Sequence, residues 1–336
     1  MRQLLFVGLL VLSIGSPAFA QTATADAEPA ASEIRDLDAV VVTGVQPGPG
    51  MWKVSKGDHV MWVMGTLSPL PRKMTWRSQD AVEVIAQSQE VLDLPYATID
   101  ADVGFFRGLT LLPSLLGARK NPDNATLRDV LPADLYARWK VLKEKYIGRD
   151  SSVEKWRPIF AAYELYSAAL GKSGLSDSGV VSATVRKAAK KHEVKLTRPM
   201  VKMMVADPKA AIRDFRAAPL NDVECFRKTL DRLETDLASM TARANAWAVG
   251  DLEALRSLPY SNQFETCWKA LTEASFARKR GLDDAEQRVR QAWFDAAEKA
   301  LANNQTTFAV LPITQLLKPD SYLAGLQAEG YSVEAP

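Results

Sequence analysis

The chain has 336 residues, 47% of them hydrophobic, enough apolar material for one large core or two modest ones. Lys and Arg number 42 against 40 Asp and Glu. That balance argues against a general electrostatic footprint for nucleic acid or an anionic membrane surface.

The first 20 residues have the form of a secretory signal: Arg2, an apolar run over residues 4–12, and Ala18-Phe19-Ala20 before the expected cleavage point. The run is too short to span a bilayer, and no later stretch is long and apolar enough to do so. A periplasmic or secreted chain beginning at Gln21 is therefore expected, with no transmembrane segment. Residues 21–50 are expected to be a disordered linker, rich in Ala, Thr and Glu and closing on Gln46-Pro47-Gly48-Pro49-Gly50. Within it lies a β-prone run, Ala39-Val40-Val41-Val42-Thr43-Gly44. This run is similar to a TonB box, although an ordinary edge segment is the preferred reading of so short a pattern.

The organising stretch is residues 51–71. Trp52 and Val54 alternate with Lys53 and Ser55, Lys56-Gly57-Asp58 supplies a turn, and residues 60–64 are continuously apolar. The pattern predicts a hairpin whose second strand is central and ends at Gly65, in the corner Gly65-Thr66-Leu67-Ser68. A helix follows to about Ser88, then a strand at Val91-Leu92-Asp93-Leu94. Asp100-Ala101-Asp102 reads as a cap before an apolar helical stretch interrupted by Pro113. Helical spacing predicts helices over residues 132–146, 152–170, 179–191 and 282–302, and one long helix over residues 221–249. The aromatics Trp156, Phe160, Tyr163 and Tyr166 are assigned to the core, and the charges Arg227, Lys228, Asp231, Arg232 and Glu234 to a solvated face. Short strands are expected at residues 194–197, 306–311 and 331–334. Cys225 and Cys267 form the expected disulfide of an exported protein.

The hairpin, its corner and the closing Gly330-Tyr331-Ser332-Val333 resemble the TraB/GumN family, related to the Tiki-type metal-dependent proteases. The resemblance runs from about residue 51 to the end. It implies a helix-rich α/β (α+β) domain over residues 51–336, with a small mixed sheet built from both ends of the chain and a helical middle inserted between them. It further implies two corner histidines and two acids around a metal. This chain departs at each: Ser68 and Gln315 stand where the resemblance calls for histidine, and Thr197 stands at one acid position. Only Asp93 remains at the other acid position. The expected pocket is thus Gly65, Ser68, Asp93, Thr197 and Gln315, with Arg72, Arg77 and Arg198 near the corners as candidate anion contacts. No metal and no cofactor is expected on such donors. His59, at the far end of its strand, is too distant for a Ser-His pair.

The expectation is a metal-site-degenerate pseudoenzyme that binds a peptide, a glycan or an envelope protein. The alternative is a hydrolase, peptidase-like, using a hard-ion site at Asp93 with Asp100 or Asp102.

Overall fold

The computed structural model describes residues 48–100, 105–177, 179–258 and 263–336. The signal-like segment, the AVVVTG run and Asp102 lie outside these.

The hairpin forms as its pattern dictates. β1 (Met51–Lys56) and β2 (His59–Thr66) pair antiparallel, with Gly57 at φ 64° in the turn. β2 extends one residue past Gly65, so the glycine lies inside the strand and does not end it. After a short β3 (Leu70–Pro71) come α1 (Gln79–Gln87), β4 (Glu90–Leu92), β5 (Tyr96–Asp100) and α2 (Phe105–Ala118). Pro113 lies inside α2, which continues through it.

The middle of the chain is helical: α3 (Ala133–Tyr146) and α4 (Pro158–Lys172), then the two-residue β6 (Leu175–Ser176) and α5 (Val180–Lys191). α4 begins at Pro158, whose missing N–H costs nothing at a first helical position. The preceding turn is a separate 3-10 segment, so the helix expected over 152–170 is two elements. β7 (Lys195–Thr197), β8 (Met200–Met204) and α6 (Pro208–Ala217) follow. The Asp207 carboxylate caps α6, accepting from the Ala210 N–H at 2.9 Å.

The expected long helix is two: α7 (Val223–Thr235) and α8 (Leu237–Val249), broken at Asp236. Asp236 is buried between Arg232 (3.5 Å) and Arg243 (2.8 Å). Arg232, expected in solvent, is 1% exposed. Asp231 and Glu234 receive Arg138 of α3 at 2.6 Å each. The charged face of α7 is therefore largely a helix–helix contact. α9 (Gln263–Thr272), α10 (Ala285–Asn303), β9 (Thr306–Pro312), α11 (Ile313–Leu316), α12 (Tyr322–Ala328) and β10 (Ser332–Glu334) complete the chain.

Six strands form one mixed sheet in the order β10-β1-β2-β9-β4-β7. β2, β9, β4 and β7 are mutually parallel, and the two ends of the chain supply five of the six strands. β1 is flanked by β10, which takes the edge. The connection from β2 to β4 and the return to β9 run across the sheet in opposite senses. Right-handed crossovers therefore put α1 and α5 on one face and α10 on the other. The strands between are apolar on both sides: Val63, Phe308, Ala309, Val310 and Leu311 are fully buried.

An outer layer was not anticipated. β5 and β8 pair parallel as a separate ribbon, and α2 packs against α6. It extends a wider correspondence in which α1-β4-β5-α2 and α5-β7-β8-α6 pair element by element. Among the described residues, no helix is long and apolar enough to cross a membrane.

Candidate functional site

The carboxyl ends of the four parallel strands gather at one edge, with Thr66 opposite Pro312, Leu92 opposite Ala309 and Leu92 opposite Thr197. The outlets of β2 and β9 are thus adjacent, at the place where parallel sheets open toward ligands. Gly65 is required there. A Cβ on it would lie 2.3 Å from Ile313 Cδ1, and its carbonyl accepts from Trp247 Nε1 at 3.0 Å.

The side chains expected to share a pocket do not converge. Ser68, followed by a cis bond to Pro69, is exposed, and its hydroxyl donates to the Asp177 carbonyl at 3.3 Å. The Thr197 hydroxyl donates to the buried Glu90 carboxylate, which also binds Lys195 (2.9 Å) and Asn304 (3.2 Å). Burial alone would raise the Glu90 carboxyl, but these three partners together hold it below its ordinary value.

Asp93 is the most constrained group. Its side chain is 1% exposed. Oδ1 accepts from the Leu94 N–H at 2.9 Å, and Oδ2 lies 2.6 Å from Arg186 Nε and 3.5 Å from Arg198 Nε. Arg186 belongs to α5, so Asp93 is committed to the α5 side of the sheet. Leu94, the next residue, lines the opposite side.

On that opposite side lie two adjoining cavities, of about 650 and 250 Å³, which share Glu286 and Gln315 in their walls. The smaller sits at the strand ends, against Leu94, Pro95, Pro312 and Tyr322. The larger runs under the helical middle and is lined by Ile159, Phe160, Tyr163, Trp268 and Leu271, with Cys267 in its wall. Of the five expected pocket residues, Gln315 alone lines it. Arg72 donates to the Leu175 carbonyl at 3.1 Å and Arg77 pairs with Asp80 at 3.4 Å. Arg198 serves Asp93. These three guanidiniums have structural partners and do not line the cavity.

Sequence reasoning assigned Phe160 and Tyr163 to the core. Tyr166 is indeed buried, but Tyr163 is 64% exposed at the cavity mouth. Their i,i+3 spacing fits a packed helix face and a cavity wall equally. Arg186 had no signal, because only the fold brings α5 over Asp93. Cys225 and Cys267 form the disulfide, with an S–S distance of 2.02 Å, joining α9 to α7.

The family profile described as TraB/PrgY/gumN matches residues 50–335. The chain belongs to the TraB/PrgY/gumN family. No curated protein and no solved structure matches it.

The metal site suggested by the resemblance to this TraB/PrgY/gumN family does not fit the donors present. The corner residues are a hydroxyl and a carboxamide facing different ways, and the one aligned carboxylate is held by two guanidiniums. Among the described residues, no three of His, Cys, Asp and Glu gather as a metal-ligating group. Asp100 ends β5 and is exposed, so it adds no second buried carboxylate at Asp93. His59 lies 3.5 Å from Asp58 at the hairpin turn, and His192 caps α5.

Proposed function

We propose that the chain is an exported, non-catalytic member of its family that binds a peptide or envelope-protein segment in the two adjoining cavities that share Glu286 and Gln315. The observation that carries this reading is the separation of Asp93 from the cavities. Asp93 is turned to α5 and neutralised by Arg186 and Arg198. The cavities present aromatic and aliphatic side chains with Thr229, Glu265, Glu286, Arg290 and Gln315 as their polar groups. A large apolar pocket with a few convergent polar groups suits an apolar side chain on a hydrogen-bonding backbone. It suits a bare glycan less well, since most side chains lining the larger cavity are apolar and leave sugar hydroxyls unsatisfied. Export is supported by the signal-like residues 1–20 and by the disulfide. The division into signal (1–20), linker (21–50) and domain (51–336) belongs to the same proposal.

The test is made on residues 21–336. Metal analysis should find no stoichiometric ion, and zinc, manganese or cobalt should leave the melting temperature unchanged. A displayed peptide library should enrich peptides bearing aromatic or aliphatic side chains, and Trp268→Ala should abolish that enrichment. Stoichiometric metal, or clear stabilisation by one ion, overturns the non-catalytic reading. Enrichment that survives Trp268→Ala overturns the cavity as the binding site.

A further inference from the structure

α2, the loop that follows it and α6 enclose another cleft, a groove of about 770 Å³ that shares no lining residue with the two adjoining cavities. Lys120, Lys209, Arg213 and Arg216 line it, against Asp123 as the one lining carboxylate. The chain as a whole is nearly balanced in charge, so this excess is a property of the groove. Lys209, Arg213 and Arg216 fall at i, i+4 and i+7 of α6 and share one helix face over a length of about 10 Å. A Cβ on Gly117 of α2 would lie 4.0 Å from Arg216 Cζ, so that guanidinium reaches across to the opposite wall. Among the described residues, Lys120, Lys209 and Arg216 make no ion pair, and Arg213 has only a 3.8 Å approach to Asp214.

These cations act against their own helix. Like charges at i,i+3 and i,i+4 repel. Lys209 also sits in the first turn, where the helix dipole disfavours a cation. The walls around them are fixed. Buried Arg157 joins the two: its N–H donates to the Arg119 carbonyl of the loop at 2.8 Å, and its guanidinium donates to the Phe215 and Ala218 carbonyls at the end of α6 at 2.8 and 2.5 Å. Asn121 ties the loop down again, its Nδ2 donating to the Trp156 carbonyl at 2.9 Å. Asp123 and Asn124 follow at φ 54° and 56°, and both line the groove. They are two of the three non-glycine residues in the left-handed region among the described residues, a conformation that concentrates at ligand sites. A rigid cleft that holds unpaired like charges, at a cost to its helix, is the arrangement of an anion site.

We propose that this groove binds a soluble ligand carrying two or three phosphate groups in a row. Three net positive charges line it, and those of α6 spread over about 10 Å, more than one small anion can meet. A phosphate carries about −1.5 to −2 near neutral pH, whereas a carboxylate carries a single charge, so two phosphates match the groove in charge. The arginine forks suit phosphate oxygens bidentately, and the lysines add point charge. The site stands whether or not the adjoining cavities bind a peptide.

Isothermal titration of residues 21–336 with inorganic tripolyphosphate tests this. Saturable binding at one site is expected, weakening as salt rises. Orthophosphate should bind about tenfold more weakly, for want of two charge contacts at about threefold each. Lys209→Gln/Arg213→Gln/Arg216→Gln should lower the tripolyphosphate affinity about 30-fold on the same scale. Its circular dichroism melt should match or exceed that of wild type, because like charges have been removed from one helix face. Lys187→Gln/Lys190→Gln/Lys191→Gln removes three exposed cations of α5 outside the groove and should leave the affinity unchanged. No binding of tripolyphosphate at low salt overturns the proposal, and so does an equal loss in the two triple variants. Orthophosphate binding as tightly as tripolyphosphate overturns the requirement for phosphates in a row. Capture by phosphatidylglycerol vesicles that tripolyphosphate competes away would place the phosphates on lipid headgroups and overturn the soluble ligand.

Discussion

The Cys225–Cys267 bridge ties α9, a wall of the larger cavity, to α7, so cutting it should reach both stability and binding. The cystines are 42 residues apart. In the chain-entropy account, closing a loop of that length restricts the unfolded state by about 13 cal/mol/K, or about 4 kcal/mol at 25 °C. At about 2 cal/mol/K of unfolding entropy per residue, a domain spanning residues 50–335 changes stability by about 0.6 kcal/mol per degree near its midpoint. The expected fall in melting temperature is therefore about 6 °C. Alanine is the right replacement, because Cys225 is fully buried and a serine hydroxyl would add a desolvation cost of its own. Calorimetry of Cys225→Ala/Cys267→Ala, beside wild type with and without reductant, gives the measurement. Reduced wild type and the double variant should coincide. A fall below 2 °C would refute the loop argument, meaning that α9 stays docked on α7 without the bridge or that the unfolded chain is already restricted there.

Asp222 should set part of the pH dependence of stability. It is buried at the start of α7, where Oδ2 accepts from the Ile159 N–H at 3.1 Å. Burial raises its carboxyl above the ordinary 3.8, and the Ile159 bond and nearby Arg157 offset only part of that. The folded state therefore holds the proton more tightly than the unfolded state. Its contribution favours folding at low pH and is lost as pH rises from about 4 through the raised folded value. The difference between wild type and Asp222→Asn should decline over that window and then flatten; a difference that grows with pH contradicts the assignment. Gly65→Ala should cost about 1–3 kcal/mol in urea unfolding, because its new methyl meets Ile313 Cδ1 at 2.3 Å. Ile313→Ala in the same chain should recover part of the loss, and no recovery would place the strain elsewhere.

What the sequence revealed follows from the range of the interactions involved. The hairpin, β9, β10 and most helix boundaries are set by local period and by caps such as Asp207 and Ser321, and these were legible. The break at Asp236 was not. The helical period runs through it undisturbed, and Asp236 there meets Arg232 and Arg243 on the same helical face. The β5–β8 ribbon was missed for a related reason. Its strands are separated by a hundred residues, and its outer side exposes Met200 and Met204 where a soluble strand would carry polar groups. At the candidate site, the identities of Ser68, Asp93, Thr197 and Gln315 were legible, but their directions were not. Just past the end of β4, Asp93 turns to α5 and Leu94 to the cavity, and only the crossovers decide which face holds α5 and which holds the cavity.

The position of Asp93 explains why Arg186 and Arg198 are there. A carboxylate 1% exposed beside hydrophobic strands needs positive charge close by. Here two guanidiniums meet that need, each about half exposed and so able to keep part of its hydration. Removing both cations should therefore harm the fold through the charge left behind. Arg186→Gln/Arg198→Gln is expected to cost about 3 kcal/mol, at the low end for breaking a buried pair because water can partly reach the vacated positions. Adding Asp93→Asn to that variant should restore most of the loss. The carboxamide keeps an oxygen for the Leu94 N–H and carries no charge to compensate. Denaturant unfolding of wild type, Asp93→Asn, the double and the triple variants closes the cycle. If the triple variant is no more stable than the double, the arginines contribute packing and not charge, and charge compensation of Asp93 falls as the explanation of this site.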